Sequence, residues 1–144
     1  MATSNRLLKE YSELKKEMTE DLVLKPDESD LYLRNGKIKG PNGTPYQNSS
    51  YNIWIKLPTS YPLSPPVISF NTKIFHPNIH PISGEICLDI LNTQWTPAWT
   101  LLYAVKAILV LLSSPEHKSP LNCDAGNLLR MNDFRGYCSI SSLF

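Results

Sequence analysis

Apolar residues near the start of the chain, Leu7, Leu8, Tyr11, Leu14 and Met18, recur every three or four positions. That spacing puts them on one face and predicts an amphipathic helix over residues 4–18, which Thr3 or Ser4 can cap. The other face carries Arg6, Lys9, Glu13 and Lys16, the pattern of a solvated surface. The period then shortens to two. Strand-like runs follow at 21–25 (DLVLK), 31–39 (LYLRNGKIK), 51–57 (YNIWIKL) and 66–70 (PVISF). Ile53 and Ile55 alternate with Trp54 and Lys56, as a sheet covered on one face requires. The connections KPDESD, GPNGTPYQNSS and PTSYPLSPP are rich in turn formers, so consecutive strands pair as an antiparallel meander.

From Asn71 to Thr100 no period is evident. A stretch of that length without regular structure inside a compact domain points to a functional loop. Residues 100–113 then read as a helix apolar on nearly every side, hence a buried central helix packed on the sheet. Residues 124–143 allow one or two short helices with a weak break at Gly136. The fold class is α+β, and no internal repeat or boundary divides residues 1–144, which form one expected domain.

Composition narrows the function. At 144 residues, with 42% hydrophobic and 19% charged positions, the chain is long enough to bury a core. A net charge of +1 with no long basic run argues against nucleic acid as a partner. Twelve prolines make about 8% against a usual ~5%, and most fall between Pro41 and Pro120, where they oppose long helices. The charged N-terminus does not read as a secretory signal. Leu101 to Leu112, the longest apolar run, is interrupted by Lys106 and falls short of the ~20 residues a span needs. No direct membrane insertion is expected.

Three cysteines, Cys87, Cys123 and Cys138, make an odd count without a CxxC pair, which fits a reducing compartment rather than a disulfide framework. Cys87 lies in the aperiodic stretch FHPNIHPISGEICLDIL, residues 75–91. Three roles are open to it. As a core thiol it would pack beside Ile86 and Leu88. As a metal ligand it would join His76, His80 and His117, but only the first two histidines are spaced as a pair, so no metal is expected. As a nucleophile it sits between polar neighbours Gly84, Glu85 and Asp89, and a thiol protease would need His76 or His117 as its base. Cys123 and Cys138 lack such surroundings and read as structural.

The segment HPNIHPISGEICLDIL, residues 76–91, followed by QWTPAW, closely resembles the active-site region of ubiquitin-conjugating enzymes. LPTSYPLSPPVISF upstream, SSPEHKSPLNCDA downstream, NRLLKEYSEL and GPNGTPYQ agree with it, so the likeness runs from about residue 4 to 131. WTPAWTLLYAV and SPLNCDAGNLLR look most like the peroxisomal type. The resemblance implies a four-stranded antiparallel sheet with an N-terminal helix, a central helix and short C-terminal helices. It implies that Cys87 takes ubiquitin as a thioester from the activating enzyme, in an ATP-dependent pathway, and passes it to a cysteine or lysine. An ordinary thiol, with a pKa of ~8.5, is a few per cent ionised at neutral pH, and a thioester is already activated. Neither a strong base, a cofactor nor a metal is then required.

By the same resemblance Asn78 supports the oxyanion of the attacked thioester or braces the loop that does. His76 braces the turn. Arg6 and Lys9 match positions that meet the activating enzyme, while Leu63, Pro97 and Ala98 match the two loops that receive a RING-type ubiquitin ligase. Partners implied are ubiquitin, the activating enzyme, the ligase and a membrane-anchored peroxin as recruiter, at the cytosolic face of the peroxisomal membrane. The sequence departs from the common pattern in three places. The loop between Asn78 and Cys87 is one residue longer, the gate position is Ser119 where Asp is frequent, and the chain ends in an unusual CSISSLF. Rival readings are a non-catalytic ubiquitin-binding scaffold of the same fold, which typically lacks the cysteine, and a thiol hydrolase.

Overall fold

Alternation builds the sheet as expected. In the computed structural model, which describes residues 2–27, 29–116, 121–130, 136, 140 and 141, helix α1 spans Ala2–Glu17 and precedes strands β1 (Leu22–Pro26), β2 (Leu33–Lys39), β3 (Ser50–Lys56) and β4 (Val67–Phe70). The side chains of residues 2–4, 123, 129 and 130 lie outside that description. The strands pair antiparallel in the order β1-β2-β3-β4. Ile38 faces Tyr51 and Ile55 faces Ile68, so inward positions meet inward positions across each ladder. Tyr51, Ile53 and Ile55 are buried while Asn52, Trp54 and Lys56 are exposed.

Helix α2 (Leu101–Ser113) lays Leu101, Ala104, Val105, Ile108, Leu111 and Leu112 into the core that the inward sheet residues share with Leu7 and Leu14 of α1. Thr100 caps it, its side chain accepting a hydrogen bond from Tyr103 N at 3.2 Å. The expectation of burial all round is corrected here. Tyr103 and Val110 are 52% and 64% exposed, because a helix packed on one sheet has only one face turned towards it. Residues Thr3 and Ser4 do not cap α1 either, since the helix begins at Ala2 and includes both. Lys15 and Lys16 in its last turn complement the negative end of the helix dipole. Helix α3 (Cys123–Arg130) starts behind Asn122, whose side-chain oxygen accepts from Ala125 N at 3.1 Å. Among the described residues no helix is long and apolar enough to cross a membrane.

The stretch between Asn71 and Thr100 is not structureless. It contains a hairpin-like arm in which Ile79 bridges Ile86, and a 3₁₀ turn at Asp89–Leu91. Ser69 of β4 bridges Glu85, so the arm covers the outer edge of β4.

Candidate active site

Backbone hydrogen bonds, joined at the tip by the His80 side chain, hold the arm rather than hydrophobic period. At the end of β4, Phe70 N donates to Gly84 O at 2.9 Å. At the tip, His80 Nδ1 accepts from both Ile82 N (3.2 Å) and Ser83 N (3.1 Å), while Gly84 N donates to His80 O at 3.0 Å. Gly84 has φ +75°, and a Cβ there would stand 2.0 Å from Phe70 O, so only glycine fits so tight a return. The returning strand reaches Cys87, whose N–H donates to Asn78 O at 2.8 Å. The cysteine is exposed and faces an open groove with Pro65, Pro66, Asp89, Asn92 and Leu121 on its walls. The core-thiol role is therefore excluded for Cys87. The side chain of Cys123 and all of Cys138 lie outside the described residues.

His76 is completely buried. Its Nε2–H donates to Leu111 O at 2.9 Å and its Nδ1 accepts from Asn78 N at 3.0 Å, which fixes the tautomer and leaves neither nitrogen for a metal or a reacting proton. Burial pushes its pKa down to about 4, against the smaller opposing effect of the Leu111 carbonyl. His76 is thus a neutral brace, and a hydrolase cannot use it as base. Its stabilising contribution has a defined pH window. The unfolded chain takes up a proton near pH 6.5 and the folded one only near 4, so stability is full above 6.5 and falls as pH drops through that interval. The loss amounts to about 3 kcal/mol in all. Urea unfolding at pH 7, 6 and 5 should show the advantage of the wild type over His76→Phe shrinking as pH falls, whereas a constant gap would contradict this assignment. Among the described residues no cluster of three or more His, Cys, Asp or Glu side chains is placed to hold a metal.

Asn78 is 2% exposed and faces the backbone of Glu116. Its Nδ2 donates to Glu116 O at 2.5 Å and its Oδ1 accepts from Glu116 N at 2.8 Å. Next to it, Pro77 O accepts from Leu121 N at 2.6 Å and Asn122 N at 3.1 Å. The His76–Asn78 turn thus fastens the chain on either side of residues 117–120. Ser119 and His117 themselves lie outside the described residues. Tyr46, fully buried, donates its hydroxyl to Phe75 O at 2.5 Å and sets its ring 5.8 Å from that of His76. Sequence reasoning passed over Tyr46 and Glu116, because neither carries a local signal of its long-range partner.

Leu63 is 78% exposed, and Pro97 and Ala98 are exposed on the next loop along the surface. Trp95 Nε1 ties the two loops by donating to Pro62 O at 2.8 Å. Of the α1 residues, Lys9 is free in solvent, whereas Arg6 is half-buried and turned inward. Its Nε donates to Glu10 at 2.9 Å and its Nη2 to Trp99 O at 2.7 Å.

Residues 6–141 match the sequence profile of the family described as "Ubiquitin-conjugating enzyme". The chain is 54% identical over 140 residues to the ubiquitin-conjugating enzyme E2 pex4 of Dictyostelium discoideum, covering 96% of this chain and 94% of the relative. It is 46% identical over 145 residues to Protein PEROXIN-4 of Arabidopsis thaliana, covering 99% and 92%. Its fold superposes with a TM-score of 0.95 and 38% identity on the H. polymorpha ubiquitin-conjugating enzyme Pex4p, solved in complex with the soluble domain of Pex22p, covering 100% of this chain and 96% of that one. These similarities run through the segment that folds into the cysteine-bearing arm and through the sheet that supports it. The chain belongs to the ubiquitin-conjugating enzyme family, and within it is most like the fourth-peroxin type.

Proposed function

We propose that the enzyme carries ubiquitin as a thioester on Cys87 and passes it to a cysteine or lysine of peroxisomal import receptors. The observation that carries this reading is the exposed Cys87, held at the groove by its N–H bond to Asn78 O. Charging is a thiol exchange. The Cys87 thiolate attacks the ubiquitin thioester carbonyl on the activating enzyme, an S–C bond forms, and the activating enzyme's thiolate leaves. In the second step the acceptor attacks the same carbonyl, loses its proton, and Cys87 leaves as thiolate. Neither step requires a histidine base, which accords with a neutral, fully bonded His76. An exposed cysteine on a braced arm also favours an enzyme over a non-catalytic scaffold.

Residues 1–144 act as one catalytic domain, Lys9 on α1 meets the activating enzyme, and Leu63, Pro97 and Ala98 receive a RING-type ligase. The names of the relatives support a peroxisomal role, and the enzyme works at the cytosolic face of the peroxisomal membrane. The pairing of the H. polymorpha enzyme with the soluble domain of Pex22p supports recruitment by a membrane-anchored peroxin.

Ser119 bears on the choice of acceptor. A lysine amine, pKa ~10.4, is almost wholly protonated at neutral pH, while a cysteine, pKa ~8.5, ionises far more readily. A hydroxyl at the gate carries no charge to attract an ammonium group, so Ser119 biases transfer towards cysteine. Single-turnover discharge of charged wild type and Ser119→Asp to free lysine and free cysteine tests this. The substitution is expected to raise the lysine rate relative to cysteine several-fold, whereas an unchanged ratio would leave Ser119 a turn residue before Pro120.

A further inference from the structure

The two loops that carry Leu63 and Pro97–Ala98 share one anchor that the active-site chemistry does not use. Glu10 of α1 has a side chain only 11% exposed, and three donors converge on its carboxylate. Oε2 accepts from Arg6 Nε at 2.9 Å and from the Tyr61 hydroxyl at 2.7 Å, and Oε1 accepts from Leu101 N at 2.9 Å. Those partners lie 4, 51 and 91 residues away along the chain. Leu101 opens α2, so the carboxylate also sits at the positive end of that helix.

From these three points the contacts spread into both loops. Arg6 lies over the Tyr61 ring, 5.9 Å from its centroid, and its Nη2 holds Trp99 O, two residues past Pro97. Tyr61, 1% exposed, sets its ring 6.0 Å from that of Trp95 at an interplanar angle of 37°, and the Trp95 indole N–H is bonded to Pro62 O. Leu63 projects immediately beyond. A carboxylate removed from water is costly, and truncating one partner of such a network leaves the others unpaired. One carboxylate therefore sets the spacing of α1, the Leu63 loop, the Pro97–Ala98 loop and the head of α2.

We propose that Glu10 is a positioning residue for ligase-stimulated transfer, holding the Leu63 and Pro97–Ala98 loops in the one relative placement that a RING domain engages. The inference rests on the ligase reading of those loops given above. It also gives Arg6 an internal role: its guanidinium serves the clamp, and contact with the activating enzyme falls to Lys9. A rigid pair of loops binds a partner better than a mobile pair, because less ordering remains to be done on association. Glu10 touches no reacting atom, so its removal should raise the ligase concentration required without altering the chemistry at Cys87.

The test uses the full chain, charged on Cys87, with a purified RING domain chosen because it accelerates discharge of the wild type. Glu10→Gln keeps the shape and removes the charge, and Tyr61→Phe removes a single donor while keeping the ring. The half-saturating RING concentration is expected to rise about tenfold for Glu10→Gln and about threefold for Tyr61→Phe, with the maximal rate within twofold of wild type. Charging by the activating enzyme and ligase-free discharge to lysine should stay within twofold. Half-saturation within twofold of wild type in both variants overturns the proposal, and so does a loss that appears equally in ligase-free discharge. Leu63→Ala separates the two readings. If it weakens RING binding and Glu10→Gln does not, the positioning role alone fails. If Leu63→Ala has no effect, the loops are not the ligase surface and both readings fall.

Discussion

Cys87→Ala is expected to take no ubiquitin from the activating enzyme, reducing charging and transfer to background. The same substitution should leave stability within about 0.5 kcal/mol of wild type, because the side chain is exposed. What the arm holds in place is the backbone at Cys87, through the Asn78 carbonyl, and alanine keeps that bond. Cys87→Ser should accept ubiquitin slowly as an oxyester that survives thiol treatment, since a hydroxyl is a far weaker nucleophile than a thiolate. Cys123→Ala should charge like wild type. Gel analysis with and without reductant, alongside thermal melting, checks all three. A Cys87→Ala protein that still charges while Cys123→Ala does not would mean that the acceptor thiol is the wrong one.

Asn78→Ala should have the second largest effect, and it should be felt in folding as well as in rate. The amide contributes both an acceptor and a donor to the Glu116 backbone from a site almost closed to water. Losing two such bonds costs about 2–3 kcal/mol, equivalent to a fall of roughly 5–10 °C in melting temperature for a chain of this size. With that tie gone, the chain at Glu116 loses its anchor on the arm while the Pro77 carbonyl still holds Leu121 and Asn122, and charging and discharge should slow together. The competing role, a donor to the oxyanion, makes a different prediction. Discharge alone would then slow, by about 10²–10³, with melting unchanged. The geometry favours the brace, because the amide oxygen and an amide hydrogen are both directed at Glu116. Melting curves and single-turnover rates on one preparation separate the two.

Much of this architecture is legible in the residues themselves, where local periodicity governs. The alternation of Ile53 and Ile55 with Trp54 and Lys56 foretells which face of β3 is covered, and the spacing of Leu7 and Leu14 foretells the buried side of α1. The sequence misleads where burial depends on what covers an element. The run Leu101–Leu112 reads as surrounded, yet Tyr103 and Val110 stand in solvent. Thr3 and Ser4 suit a cap by residue type, but the helix extends past them. The cysteine arm escapes periodicity altogether. It is shaped by His80 accepting from residues two and three positions on and by the left-handed backbone of Gly84, local chemistry that leaves no repeating apolar mark. For the site, Cys87 stands out as a candidate nucleophile by its place in the aperiodic stretch, its role and that of Asn78 come from the family resemblance, and the fold brings the two together through one backbone bond. Glu10 was within reach as a carboxylate four residues after Arg6 on a helix. Its ties to Tyr61 and Leu101 were not, since they cross the whole fold.

The central claim is that Cys87 is the thiol that carries ubiquitin. Incubating the wild-type chain with activating enzyme, ATP and ubiquitin, and then mapping the adduct by mass spectrometry under non-reducing conditions, tests it most directly. The account predicts one ubiquitin per chain, joined at Cys87, absent without ATP and released by reductant. An adduct at Cys123 or Cys138, or only a reductant-resistant bond to a lysine, would contradict it.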